Sequence, residues 1–444
     1  MSTRFSEKRN TISCCFHVSL TPAHAVVAQA CLGILLHLDE HITEDVLKKF
    51  PLAEYAAEHW VEHARFEGVS KDVEEGMKQL FDASKSHLAV WVWIRDPIRW
   101  TRRKRRERPL PPPRSALHYA DFCGFPSVVE ILVTAHPRDV HSQDSDDKST
   151  PLHLALEKGQ TEVVRLLVDY GADLTAQDDD GWTPFHFAVQ EGSVDLARFL
   201  IEHGANAKAR DEDGSTMLHF AVRRGNLDIT RLLVEDGADA AAVDDDGLTP
   251  LQLAVQDGSV DLARFLIEHG ADVTVEDEDG STLLHLAVKN RSVDLARLLL
   301  EHGVDAVQDR NGLSPLHLAV EVGCVDLARL LVEHGADTTA KTYCGSTPLY
   351  LAVKNESVEL TRLLVEHDAD AIVKNNNYGS ESMLLHLAVK NGNVDLVRFL
   401  VEHGADATAQ EEDGLTPLHL AVEDGRIDLT RVLVEHCVNV TAQD

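Results

Sequence analysis

Paired cysteines are missing from this chain of 444 residues. Its seven cysteines (Cys14, Cys15, Cys31, Cys123, Cys324, Cys344 and Cys437) include no Cys-x-x-Cys pair. An odd, irregularly spaced set argues for free thiols in a reducing compartment. The opening "MSTRFSEKRNTISC" lacks an apolar core, so no signal peptide is expected. The apolar stretch 25–36, "AVVAQACLGILL", is interrupted by Gln29 and too short to span a bilayer; it fits a buried helix. A Gly-x-x-x-x-Gly-Lys-Ser/Thr phosphate loop is lacking, as is a Gly-x-Ser-x-Gly elbow, and no nucleophile and base stand in a recognisable context. The chain therefore reads as a non-enzyme with no cofactor. Basic residues are scarce beyond the first quarter: residues 1–114 hold 18 Lys+Arg against 15 Asp+Glu, leaving 24 against 59 for the rest. Such an acidic body repels nucleic acid and anionic membranes and suits a basic protein partner.

What the chain has instead is repetition. "DEDGST" occurs at 211–216 and again at 277–282, and the flanks repeat with it: 183–222 laid over 249–288 differs at 11 of 40 positions. A short catalytic motif does not carry forty matching neighbours; a duplicated structural unit does. Tetrads of the "TPLH" type start at Thr150, Thr183, Thr216, Thr249, Thr282, Ser314, Thr347, Met383 and Thr416, with a worn copy, "SALH", at Ser115. From Thr150 onward the spacing is 33 residues except for one step of 32 and one of 36. A typical unit reads "DDGWTPFHFAVQEGSVDLARFLIEHGANA". This closely resembles the ankyrin repeat, in about ten copies over 115–444.

The residues support that resemblance. Thr183 and Thr216 are good N-caps, and Pro184 stands where a helix needs no N–H. "VDLARFLIEHG" repeats apolar residues at helical spacing and ends on a glycine such as Gly270, a C-terminal cap. "DDDG" supplies turn residues. Neither short helix is stable alone, so neighbours must stack into a continuous core. "DEDGST" is then a finger tip plus the entry to the next helix. A calcium loop would need a further acid two positions upstream, where Ala176, Ala209, Ala242, Val275 and Ala409 stand.

Histidine is abundant, with 24 copies. Eight fill the tetrad: His118, His153, His186, His219, His285, His317, His386 and His419, with Gln252 and Tyr350 replacing it in two units. The resemblance implies that this histidine hydrogen-bonds the turn and is structural. Seven others sit before the glycine position (His203, His269, His302, His334, His367, His403 and His436), where the helix C-terminus favours a partly protonated imidazole. "HLDEH" (37–41) and "HWVEH" (59–63) match an inverted zinc-protease signature, with a solvated helix edge as the plainer reading.

Residues 20–100 are a different object. Segments such as "PLAEYAAEHWVEHARF" and "HLAVWVWIRD", with Trp60, Trp91 and Trp93, read as a small helical bundle packed on the first repeat. Residues 1–19 read as an extension without a core of its own. "FPLAEYAAEHWVEHARFE" and "LTPAHAVVAQACLGILL" are similar to the segment before the repeats in fungal NACHT–ankyrin proteins, NOD-like signalling ATPases of the STAND type. The nucleotide-binding domain of that class is missing, so the resemblance implies at most its sensor portion. The linker "TRRKRRERPLPPPR" (101–114) combines a basic run with a stiff proline spacer. The basic run reads as a solvated linker, as an intramolecular contact with the acidic array or, at 102–108, as a nuclear-import signal; the expected location is cytoplasmic, with the nucleus as the alternative.

The expected fold is thus all-α: an ankyrin solenoid behind a helical bundle, monomeric, binding a protein on its concave face. Arrays of this kind bind along fingers and inner helices. Here the tips Asp178–Asp179–Asp180, Asp211–Glu212–Asp213, Asp244–Asp245–Asp246 and Asp277–Glu278–Asp279 form an expected acidic ridge, and 411–413 is likewise wholly acidic; the plainer reading is that acids suit turns and solubility. It breaks at "TYC" (342–344) and "NNNYGSES" (375–382), which places Tyr343, Tyr350 and Tyr378 as candidate anchors.

Overall fold

The computed structural model describes residues 20–66, 68–82, 84–98, 114–211, 213–367, 369, 374–375, 382–411 and 413–441. The extension 1–19, most of the linker, Glu212 and Tyr378 lie outside the described residues. The chain divides into two compact units, residues 1–212 and 213–444.

The first unit opens with five helices: α1 Leu20–Leu36, α2 Glu44–Leu47, α3 Pro51–Ala64, α4 Ser70–Leu80 and α5 His87–Ile94. Small buried residues on α3 (Ala53, Ala56, Ala57 and Ala64) let neighbouring helices approach closely. Trp60 and Trp91 fill the core, ring edge to ring face at 5.2 Å, and the indole N–H of Trp91 donates to the carbonyl of Ala57 at 3.0 Å. The same tryptophans seat the bundle on the first repeat: Trp60 stacks on Phe125 at 5.5 Å and Trp91 meets Tyr119 at 6.2 Å. Arg65 adds hydrogen bonds to the carbonyls of Cys123 (2.6 Å) and Phe122 (2.8 Å).

The repeats of this unit are helix pairs, α6 Ala116–Cys123 with α7 Pro126–Ala135, α8 Pro151–Glu157 with α9 Thr161–Asp169, and α10 Pro184–Gln190 with α11 Val194–Glu202. Arg114 reads in sequence as the end of the linker. In the structure it is locked into the array, its side chain 3 % exposed, bonded through Nε to Asp144 (2.6 Å) and through Nη2 to Asp144 and Asp147.

The second unit continues the pattern with α12 Met217–Arg223, α13 Leu227–Glu235, α14 Pro250–Gln256, α15 Val260–Glu268, α16 Leu283–Lys289, α17 Val293–Glu301, α18 Pro315–Glu321, α19 Val325–Glu333, α20 Pro348–Lys354, α21 Val358–Glu366, α22 Leu384–Asn391, α23 Val394–Glu402, α24 Pro417–Glu423 and α25 Ile427–Thr441. The architecture is all-helical and solenoidal, as expected. One departure is the 36-residue step, where a two-residue hairpin forms: β1 Lys374–Asn375 pairs antiparallel with β2 Ser382–Met383.

Each unit repeats one solution. Thr249 in extended conformation caps α14, Pro250 occupies its first turn, and Leu251, Ala254 and Val255 are fully buried. Gly270 closes the following helix at φ +89°, a left-handed conformation that a residue with a β-carbon enters only with strain. Successive second helices add a cation–π contact, Arg231 over Phe265 at 4.8 Å and Arg362 over Phe399 at 5.1 Å. Successive first helices are stitched by amides: Asn290 donates to the carbonyls of Val255 and Gln256, and Asn391 to Val353.

Candidate functional site

The tetrad histidine does two jobs. The backbone N–H of Thr150 donates to Nδ1 of His153 at 3.0 Å, which places the ring proton on Nε2, and that proton is donated across the repeat boundary to the carbonyl of Trp182 at 3.1 Å. The same Nε2 bridge joins His118 to Ser149, His219 to Leu248, His285 to Leu313, His317 to Ser346 and His386 to Leu415. His186 and His419 cap their own helices through Nδ1. Gln252 reproduces the cap with its amide oxygen, at 2.8 Å from the Thr249 nitrogen. Burial pushes His153 and His186 down to about 4, and also lowers His118, His285 and His317. Six of the second set, His203, His269, His302, His334, His367 and His403, donate Nδ1–H to the carbonyl four residues back, as His269 does to Phe265 at 2.8 Å.

Neither zinc-protease look-alike forms a site. "HLDEH" falls in the turn after α1, where His37 bonds to Gly33 instead of sharing a helix face with His41. On α3, His59 turns to Glu62 at 3.4 Å while His63 meets His24 at 2.8 Å. Among the described residues no three potential ligands converge on a metal position.

The fingers have a common geometry. In three of them, those that open on Asp178, Asp244 and Asp277, the first acid is a turn-former. The Oδ1 atom of Asp178 accepts from the backbone of Asp180 (3.0 Å) and Trp182 (2.8 Å), and Asp277 does the same for Asp279 and Ser281. Asp244 bonds the N–H of Leu248, pairs with Arg223 at 3.2 Å and is only 7 % exposed. Burial raises the Asp178 carboxyl from its ordinary value. Asp211 is half-buried at the equivalent position. The outward charge therefore resides on Asp179, Asp180, Asp213, Asp245, Asp246, Glu278 and Asp279, all exposed.

Backbone bonds join neighbouring fingers at three places in the second unit. Asp245 donates to the carbonyl of Asp213, Arg310 to Asp279 and Tyr343 to Asn311, at 2.9–3.1 Å. A tip glycine permits this approach: a β-carbon on Gly312 would stand 3.0 Å from the Thr342 α-carbon and the Tyr343 nitrogen. In the second unit the edge thus runs from acidic tips to Arg310 and Asn311 and then to Tyr343, which is 81 % exposed. Tyr350 is different: it fills a tetrad slot on α20, half-buried. Arg310 and Asn311 were missed in the sequence because "DRNG" breaks the acidic pattern; the finger register alone would have found them.

One open depression, about 350 Å³, lies where α17 and α19 end, lined by residues including Val304, Val307, His334 and Asp337, with no nucleophile and base brought together. No helix among the described residues is long and apolar enough to cross a membrane.

Comparison with known proteins agrees with this geometry. A family model for ankyrin repeats (3 copies) matches at 116–211, 203–277, 274–342, 338–411 and 374–444. The azaphilone pigments biosynthesis cluster protein L of Monascus ruber is similar, 31% identical over 172 residues, which is 36% of this chain and 36% of that protein. The chain therefore spans about a third of the length of the curated relative it matches. The crystal structure of the ankyrin repeat domain of Bcl-3, described as a unique member of the IkappaB protein family, is 33% identical, with a TM-score of 0.45, covering 50% of this chain and 100% of that one. With the family model reaching from 116 to 444 and a histidine-bridged helix pair recurring throughout that span, the chain belongs to the ankyrin-repeat family.

Proposed function

We propose that the chain is a non-enzymatic interaction module that binds a basic protein partner along its finger edge. Ankyrin repeats are in general protein–protein interaction modules, which supports the broad statement. The observation behind the finer one is the run of exposed acids on wired fingers (Asp213, Asp245, Asp246, Glu278 and Asp279), followed by the exposed ring of Tyr343. Acids held on a rigid edge steer a basic surface, and an aromatic at the end of the charged run anchors it. Its net charge disfavours nucleic acid and anionic membranes as partners. A second reading, the sensor portion of a STAND-type ATPase, rests on the similarity of the bundle to the segment before the repeats in that class; an upstream reading frame with a phosphate loop would favour it.

The test is a pull-down to recover the partner, followed by binding kinetics. Replacing Asp245, Asp246 and Asp279 by Asn and Glu278 by Gln is expected to slow association about tenfold at low salt. The turn acids Asp244 and Asp277 stay in place, so the fold is kept. Tyr343→Ala is expected to speed dissociation about thirtyfold, the effect of a 2 kcal/mol anchor. A partner that binds equally at low and high salt and ignores both variants contradicts the reading.

A further inference from the structure

The acid two residues past the helix-ending glycine has one task in most units. Asp272 accepts from the backbone N–H and the hydroxyl of Thr274, at 2.8 and 2.7 Å. Asp173, Asp337 and Asp406 hold Thr175, Thr339 and Thr408 in the same way. Asp239 does so for the N–H of Ala241. The unit after α17 cannot. Glu268 and Leu283 are 15 positions apart, as are Glu333 and Pro348, but Glu301 and Pro315 are only 14 apart. Laid over "GADVTVEDEDG" (270–280), "GVDAVQDRNG" (303–312) lacks the threonine. Asp305 therefore has no such turn to close. Its carboxylate is exposed and has neither a hydrogen bond nor an ion pair among the described residues.

The depression of about 350 Å³ opens at this same place. One residue fewer leaves space that the turn fills elsewhere. The apolar lining includes Leu300, Val304 and Val307. Val304 stands where the neighbouring units carry Ala271 and Ala336, and Val307 is 45 % exposed. The polar lining is Asp305 from one unit and His334 and Asp337 from the next. Nδ1 of His334 donates to the Leu330 carbonyl, which leaves Nε2 an acceptor. No lysine or arginine is among the lining residues.

We propose that this depression is a docking site for one basic side chain, lysine or arginine, of a protein partner. The aliphatic stem covers Leu300, Val304 and Val307, and the cationic head meets the carboxylate that the missing residue has released. Acceptors without a competing cation, set beside exposed hydrocarbon, match a side chain that is apolar along its length and charged at its end. The lining residues precede the finger tips in their units, so the test needs no partner of the finger edge.

Methyl NMR of the full chain is the experiment, with N-acetyl-arginine amide as the probe and its neutral isostere N-acetyl-citrulline amide as the control. The arginine probe is expected to shift the Leu300, Val304 and Val307 methyl signals saturably, and the citrulline probe to bind about fivefold more weakly. Asp305→Asn keeps the shape and is expected to weaken the arginine probe by a similar factor, the effect of a partly exposed ion pair. A threonine inserted between Ala306 and Val307 restores the spacing of the other units, recaptures Asp305 and is expected to abolish the shifts. The site is overturned if the arginine probe leaves these methyls unmoved, or if citrulline shifts them equally. It is also overturned if Asp305→Asn or the insertion variant binds the probe as wild type does.

Discussion

Acidification is expected to unfold the array well before its exposed carboxylates are the deciding factor, through its buried histidines. Both ring nitrogens of His153 are in use, Nδ1 accepting from Thr150 and Nε2 donating to Trp182. A second proton can enter only by breaking the cap. With its folded pKa at about 4 against an unfolded value near 6.5, the ring binds fewer protons when folded, so its stabilising contribution is fully present above pH 6.5. It is lost as pH falls toward about 4. His186 behaves alike. Each ring is linked to at most on the order of 3 kcal/mol over that window. Urea unfolding at pH 7 and pH 4.5 is the measurement. The pair His153→Gln and His186→Gln is expected to flatten the pH dependence in the first unit without abolishing folding, because Gln252 already makes the same cap.

Arg114→Ala is expected to cost about 3–5 kcal/mol, the loss incurred when one partner of a buried ion pair is removed. Its side chain and that of Asp144 are 3 % and 0 % exposed, so truncation strands a carboxylate in the interior. Lys148, paired with Asp179 at 2.6 Å but well exposed, is the contrast: Lys148→Ala is expected to stay within about 1 kcal/mol. The urea midpoint, followed by the emission of the chain's five tryptophans, distinguishes them. Similar losses in both variants would remove Arg114 from its place as the anchor of the first finger.

These residues also show which parts of the molecule could be read from the sequence. The period, the Thr caps, the prolines and the glycine ends are local signals, and each formed where its own neighbours required it. Arg114 escaped because its partner is 30 residues away, while the prolines beside it read as linker. The amides of Asn290 and Asn391 escaped for the same reason: they act on the preceding repeat, not on their own. Within a finger, three acids look alike in sequence. Only the backbone shows that Asp178, Asp244 and Asp277 hold the turn while the next two face water.

The central claim is that the finger edge, and not the bundle or the outer helices, meets the partner. Hydrogen exchange of the full chain with and without its captured partner tests it most directly. The account predicts slowed exchange at 245–246, 278–279, 310–311 and 343–344, with α13, α15, α17, α19 and the bundle unchanged. Protection confined to the second helices or to residues 20–94, with the fingers exchanging freely, would contradict it.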